Sequence, residues 1–242
     1  MLQNLFRNIP PVVKNLLILN ILFFVAQFAV PEFMEKLALF PIVSEEFKPW
    51  QLATHFFMHS QYDLLHILFN MLLLVFFGAK LELQWGAKRF LTFYLATAMG
   101  SAALHLLVGY LRIQNIETSL SSEDYQLFWA EANNAWAQGK NFIDPTLYKL
   151  NIMYHTPVLG ASGAIFGILA AYAYYFPNTM IYIYMLFPVK AKWLIGLYTV
   201  REIYLGFANT EGDNVAHFAH LGGALVGIIL VLIWQRNKKQ FY

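Results

Sequence analysis

The chain has 242 residues, of which 59% are hydrophobic and 12% charged, with a mean hydropathy of +0.50 and a net charge of +2. Soluble domains carry about twice that share of charge, so the composition points to an integral membrane protein. The small net charge and the lack of a basic block interleaved with aromatics exclude nucleic acid as a partner. The absence of cysteine excludes disulfides, thiolate metal sites and a cysteine nucleophile.

In chain order, apolar runs occupy residues 12–30, 64–79, 90–111, 158–176, 193–208 and 215–234. Each approaches the roughly 20 residues that a helix needs to cross a bilayer, so six spans are expected. The first follows Arg7 and Lys14 and lacks a small-residue cleavage signature, so it is read as a retained signal anchor. The fifth is interrupted by Arg201 and Glu202, which as adjacent residues are not expected to pair across a helix face. Residues 180–187, between Pro177 and Pro188, are too short to cross and are placed at an interface.

The only long polar stretch is 112–156, between the third and fourth spans. It holds Glu117, Glu123, Asp124, Glu131 and Asp144 among Phe128, Trp129, Trp136 and Phe142. Its middle, 122–138, begins with a serine cap followed by acids and stops at Gly139, which predicts a short helix at the outer membrane interface. No repeat, low-complexity tract or second domain is evident, so residues 1–242 are read as one membrane domain with this external insertion.

Lys and Arg favour the side that carries both termini. Arg7, Lys14, Lys80, Lys88, Arg89, Lys190, Lys192, Arg236, Lys238 and Lys239 fall there, against Lys36, Lys48, Arg112, Lys140 and Lys149 opposite. An all-α bundle with both termini in the cytoplasm follows. Even-numbered spans then enter from outside, so His66 and Asn70 on the second, Ser162 on the fourth and His220 on the sixth share one depth. Polar groups there are costly unless they meet or act, which makes them one candidate site.

The fourth span carries Gly163, Gly167 and Ala171 at intervals of four, and the sixth carries Ala219, Gly223 and Gly227. Such stripes let backbones approach closely enough for a hydroxyl to meet an imidazole. Ser162 is then a nucleophile at a helix start, where free N–H groups favour an oxyanion, and His220 is its base. Gly160 and Gly163 permit a tight turn and a close substrate carbonyl, and His66 and Asn70 add side-chain donors. Phe166, one turn after Ser162, either stacks on the imidazole or packs in the core. No acid near His220 offers itself as a third member, Asp213 in the preceding loop being a poor candidate, so a dyad is expected.

These residues carry a resemblance. Trp50-Gln-Leu, His66-Ile-Leu-Phe-Asn70, Glu82 with Trp85-Gly86 and Arg89-Phe90, Gly160-Ala-Ser162-Gly163, and Ala219-His220 followed by Gly223 and Gly227 stand in the order found in rhomboid intramembrane serine proteases. The chain resembles that family from Phe47 to about Gly227, with an insertion longer than compact bacterial members have. The resemblance implies a six-helix rhomboid-like fold, with Ser162 as nucleophile and His220 as base. His66, Asn70 and the Ser162 amide would form the oxyanion hole, and Glu82 and Arg89 would be structural near the cytoplasmic helix ends. The family's Trp-Arg is Trp50-Gln51 here.

The implied substrates are single-pass membrane proteins, cut in or beside a transmembrane helix that unwinds, since a regular helix hides its carbonyls. No cofactor or metal is expected, a monomer is expected, and a bacterial cell membrane is the expected location. The fifth span and residues 209–214 would serve as gate and cap, with Gly206 and Gly212 as hinges. Two other classes stay open. A non-catalytic escort would hold a substrate helix in the same groove and survive Ser162→Ala. A metal transporter or metalloprotease would use His55, His59 and His66, although these lack an accompanying acid, and would be sensitive to chelators. His55, His59 and His217 are read as structural, and His105 and His155 find no role.

Overall fold

The computed structural model describes residues 9–30, 32–183, 186–208 and 216–239, with side chains to Arg236. Helix α1 (Pro11–Ala29) starts on a proline, whose missing N–H costs nothing in a first turn. A short helix α2 (Phe33–Leu37) and a turn of helix α3 (Gln51–Thr54), continued as a 3₁₀ turn (His55–Phe57), punctuate the first loop. Helix α4 (Leu64–Trp85) opens with Asp63 accepting from the Leu65 amide, passes through a π turn at Leu74–Gly78, and ends at Gly86 with φ +81°. Helix α5 (Ala87–Glu117) is 31 residues long and runs well past the expected end at 111.

The expected single helix of the insertion is two. Helix α6 (Ser122–Ala137) is capped by Ser121, one residue before the serine expected, whose Oγ accepts from the Asp124 amide. Helix α7 (Pro145–His155) is capped by Asp144, with a proline in its first turn. The sequence hides this helix, because its cap and proline look like loop punctuation in so polar a stretch. Ile113, Phe128, Ala132, Leu147, Leu150 and Tyr154 form a small core of their own between α5, α6 and α7.

Helix α8 (Ser162–Tyr175) begins at Ser162 rather than at 158, because Val158 is extended and pairs with Leu39. Its 14 residues rise about 21 Å, short of the roughly 30 Å hydrocarbon layer. It lies inside the bundle, with Gly163 through Leu169 buried in succession. The interfacial segment at 180–187 forms a hairpin of β1 (Met180–Ile183) and β2 (Phe187–Lys190), antiparallel with Met180 opposite Lys190. Helices α9 (Ala191–Ala208) and α10 (His217–Lys239) complete the chain.

Among the described residues, four helices are long and apolar enough to cross a membrane: Pro11–Ala29, Leu64–Trp85, Ala87–Glu117 and His217–Arg236. The fourth and fifth expected spans are helices, but α8 is short and α9 carries charge. The spanning helices present Leu22, Val25, Phe76, Leu83 and Leu225 outward, as lipid-facing surfaces do. Glu82 fixes one end of the bundle, for its carboxylate accepts from the Val12 and Val13 amides at 2.9 and 2.8 Å. A buried acid thus caps α1 at the helix end where orphan N–H groups and the dipole favour negative charge.

Candidate active site

The segment leading into α8 is pinned from the first loop. Leu39 and Val158 exchange backbone hydrogen bonds of 2.8 Å, and the Gly160 amide donates to the His55 carbonyl at 3.0 Å. Gly160 has φ +116°, a conformation that L side chains rarely adopt, and an added Cβ would sit 2.8 Å from His66 Nε2. Ser162 therefore enters its helix from a fixed turn, where the first N–H groups lack helical partners.

Backbone contact brings the other half of the site into place. A Cβ on Gly223 would come 1.8 Å from the Gly163 carbonyl oxygen, so α8 and α10 touch main chain to main chain, and one on Gly163 would meet Ser101 Oγ on α5. With the two helices this close, His220 Nε2 lies 2.9 Å from Ser162 Oγ. The Phe166 ring lies parallel to the imidazole, 8° between planes and 4.2 Å between centroids, which resolves its open reading in favour of stacking.

His66 faces the same turn from α4. Its Nδ1 accepts from the Ser60 amide at 3.4 Å, which leaves the proton on Nε2, the atom beside Gly160. Asn70 lies one turn along the helix, buried, with its amide nitrogen donating to the His66 carbonyl at 2.7 Å. Ser162, His220, His66, Gly160 and Phe166 thus meet, while Asn70 in this state bonds within its own helix.

The expectation that no acid stands near His220 is wrong. Glu202 on α9, fully buried, places Oε2 2.8 Å from His220 Nδ1 and 2.7 Å from His217 Nδ1. Its Oε1 accepts from Arg201 Nη1 at 3.0 Å, so these neighbours also pair, contrary to the expectation that adjacent helical residues do not. The Arg201 side chain, more than half exposed, is long enough to reach the buried carboxylate of its neighbour. A signal was present in the sequence: a carboxylate in an apolar helix demands a partner, and the following span carries His217 and His220 one turn apart. Glu202, His217 and His220 each bring one donor atom within 4.8 Å of the others, the set of residue types that zinc sites use.

Other expected residues find ordinary places. Arg89 stacks its guanidinium over the Trp234 ring at 4.1 Å. Gln51, where the family pattern has arginine, is fully buried and ties the first loop to itself: Oε1 accepts from the Phe40 and Lys48 amides, and Nε2 donates to the Glu46 carbonyl at 2.9 Å. Gly206 sits inside α9, its carbonyl accepting from Arg112 Nη2 at 2.6 Å. Gly212, Asp213 and the expected cap at 209–214 lie outside the described residues. His55 bonds the Gln51 carbonyl through Nδ1, and His155 bonds Asn151 and Asn133 while stacking on Trp136. Both His59 ring nitrogens are buried without a hydrogen-bond partner. Burial lowers the pKa of His55 to about 4 and that of His59 to about 3, so both are neutral near pH 7.

The family profile described as Rhomboid domain matches residues 46–237. RHOMBOID-like protein 12, mitochondrial, of Arabidopsis thaliana is 31% identical over 74% of this chain and 44% of its own length. Rhomboid protein 1, mitochondrial, of Saccharomyces cerevisiae is 29% identical over 70% of the chain and 38% of its own. Rhomboid protease AarA of Providencia stuartii is 25% identical over 76% of the chain and 56% of its own. The chain thus spans less than two thirds of each of these relatives. Two of them carry mitochondrial names, which lend no support to the expectation of a bacterial cell membrane.

Proposed function

Since the chain belongs to the rhomboid family, we propose that it is an intramembrane serine endopeptidase cutting single-pass membrane proteins in or beside their transmembrane helix. The observation that carries this reading is the 2.9 Å contact between Ser162 Oγ and His220 Nε2, made between two helices in backbone contact. Nucleophile and base are then already within reach of proton transfer.

In the proposed reaction, Ser162 Oγ attacks the scissile carbonyl carbon while its proton passes to His220 Nε2. The carbonyl oxygen becomes an oxyanion beside the first amides of α8 and the Nε2–H of His66, with Asn70 able to turn its amide inward. Breaking of the C–N bond takes the proton from His220 to the leaving amine. Water then attacks the acyl-serine ester, giving a proton to His220, and the ester C–O bond breaks as His220 returns that proton to Ser162 Oγ, releasing the acid and restoring both residues.

The orientation expected from the lysines and arginines fits this chemistry. With both termini cytoplasmic, the head of α8 lies toward the outer face, from which water must arrive. The proposed enzyme is a monomer in a membrane, with its site opening away from the cytosol. The name AarA protease among the relatives supports catalysis over the escort reading, because this chain keeps the hydroxyl and imidazole in contact.

A fluorophosphonate probe on the detergent-solubilised protein, together with cleavage of a single-pass model substrate, tests the proposal. Wild type is expected to be labelled and active, and Ser162→Ala and His220→Ala to be neither. Equal labelling of all three proteins rejects it.

A further inference from the structure

Three observations at one carboxylate remain unused by a serine–histidine pair. Glu202 is fully buried in a helix whose Trp193, Leu197, Tyr204 and Phe207 face outward, so its charge is held where α9 turns inward. Its Oε2 takes both His217 Nδ1 and His220 Nδ1, and its Oε1 takes Arg201. Finally, the far nitrogen of the same His220 ring is the one that meets Ser162.

We propose that Glu202 is a positioning residue for the base, resting on the protease reading above: it holds His220 in the tautomer and orientation that let Nε2 take the Ser162 proton. A carboxylate only accepts hydrogen bonds, so the proton of neutral His220 resides on Nδ1 and the lone pair on Nε2. With the proton on the other nitrogen, His220 would donate to Ser162 instead of accepting from it. Once His220 takes up the serine proton, the imidazolium lies against a buried carboxylate, where opposite charge is worth more than at the surface.

His217 has a different part. An oxygen with two lone pairs accommodates two donors, and His217 together with Arg201 keeps the carboxylate from swinging away. Hydrogen bonding accounts for the spacing better than a shared ion does. Nitrogen and oxygen donors on one tetrahedral zinc stand about 3.3 Å apart, from ligand distances near 2.0–2.1 Å. The contacts here, 2.7 and 2.8 Å, have hydrogen-bond lengths. Phe166 on the ring face and Glu202 on the ring edge thus fix His220 in two perpendicular directions.

The test is Glu202→Gln, close in shape, whose amide can present an N–H to the imidazole and reverse its tautomer. Cleavage of a model substrate in detergent should show kcat reduced at least about a hundredfold, with KM and the thermal midpoint near wild type. Added to His220→Ala, it should cost nothing more. His217→Asn should lower kcat less, since the carboxylate keeps its bond to His220.

Should Glu202→Gln fail to fold, ¹⁵N spectra of histidine-labelled wild type decide. His220 is expected protonated at Nδ1 and bare at Nε2, and the reverse tautomer overturns the inference. Wild-type kcat in Glu202→Gln, or an equal further loss on top of His220→Ala, also overturns it. The protease reading fails separately, by Ser162→Ala cleaving as well as wild type.

Discussion

The pairing of α8 with α10 and that of α6 with α7 are both helix against helix, yet they are built from opposite residues. In the first, Gly163 and Gly223 remove side chains from the contact, and the separation is set by main-chain atoms. In the second, Phe128, Leu147, Leu150 and Tyr154 fill the space between, with ring centroids of Phe128 and Tyr154 5.6 Å apart. Lipid is as apolar as leucine, so helices in a bilayer gain from close packing rather than from hiding apolar groups. The polar insertion uses apolar burial, which tolerates changes of shape that a main-chain contact does not. The hydroxyl–imidazole geometry hangs on the less forgiving of the two.

Breaking the main-chain contact should therefore have the largest effect. Gly223→Val places a branched carbon where even a Cβ would lie 1.8 Å from the Gly163 carbonyl oxygen, so the helices must part. Because a misplacement of about 1 Å can cost about a hundredfold in rate, cleavage should fall at least that far, and the melting midpoint should drop with it. Cleavage near the wild-type rate would show that the contact does not set the geometry.

Removing the stacked ring is a milder cut at the same place. Phe166→Ala should lower kcat by about twofold to tenfold, the range corresponding to an aromatic pair worth 0.5–1.5 kcal/mol. An unchanged kcat would mean that Glu202 alone holds the imidazole.

Acid should weaken the first loop that pins the entry to α8. His55 and His59 have folded pKa values of about 4 and about 3, below the 6.5 of an unperturbed histidine, so the unfolded chain binds more protons between those limits. Stability is then full above pH 6.5 and declines as pH falls from there toward 4 and 3. Thermal melts across this window should show the decline, and His59→Leu should make it shallower. A flat profile would mean that these rings are hydrated.

The smallest effect on catalysis belongs to the insertion. Tyr154 Oη donates to Glu117 Oε1 at 2.6 Å, so the two ends of the insertion lie close together and a short linker can join them. Replacing residues 119–153 by such a linker should preserve cleavage of a model substrate. Loss of activity in a folded variant would give α6 and α7 a part in the chemistry.

Of the candidate site, the convergence of Ser162, His220, His66 and Gly160 was legible from the expected span order and the small-residue stripes. Glu202 was not, since Arg201 beside it made the pair look like an interruption of a span. Periodicity says that adjacent residues point apart, but not that a long guanidinium reaches back. In the insertion, the first helix was readable from its acids and Gly139, and the second was hidden behind its own cap.

The sequence by itself determined the membrane class, the apolar segments and the residue types able to do acyl transfer, because each rests on local composition and spacing. Tertiary structure decided that α8 is short and enclosed, and that a carboxylate from α9 reaches His220. These depend on which helices lie side by side and on how each is rotated, and the pattern within one helix does not state either.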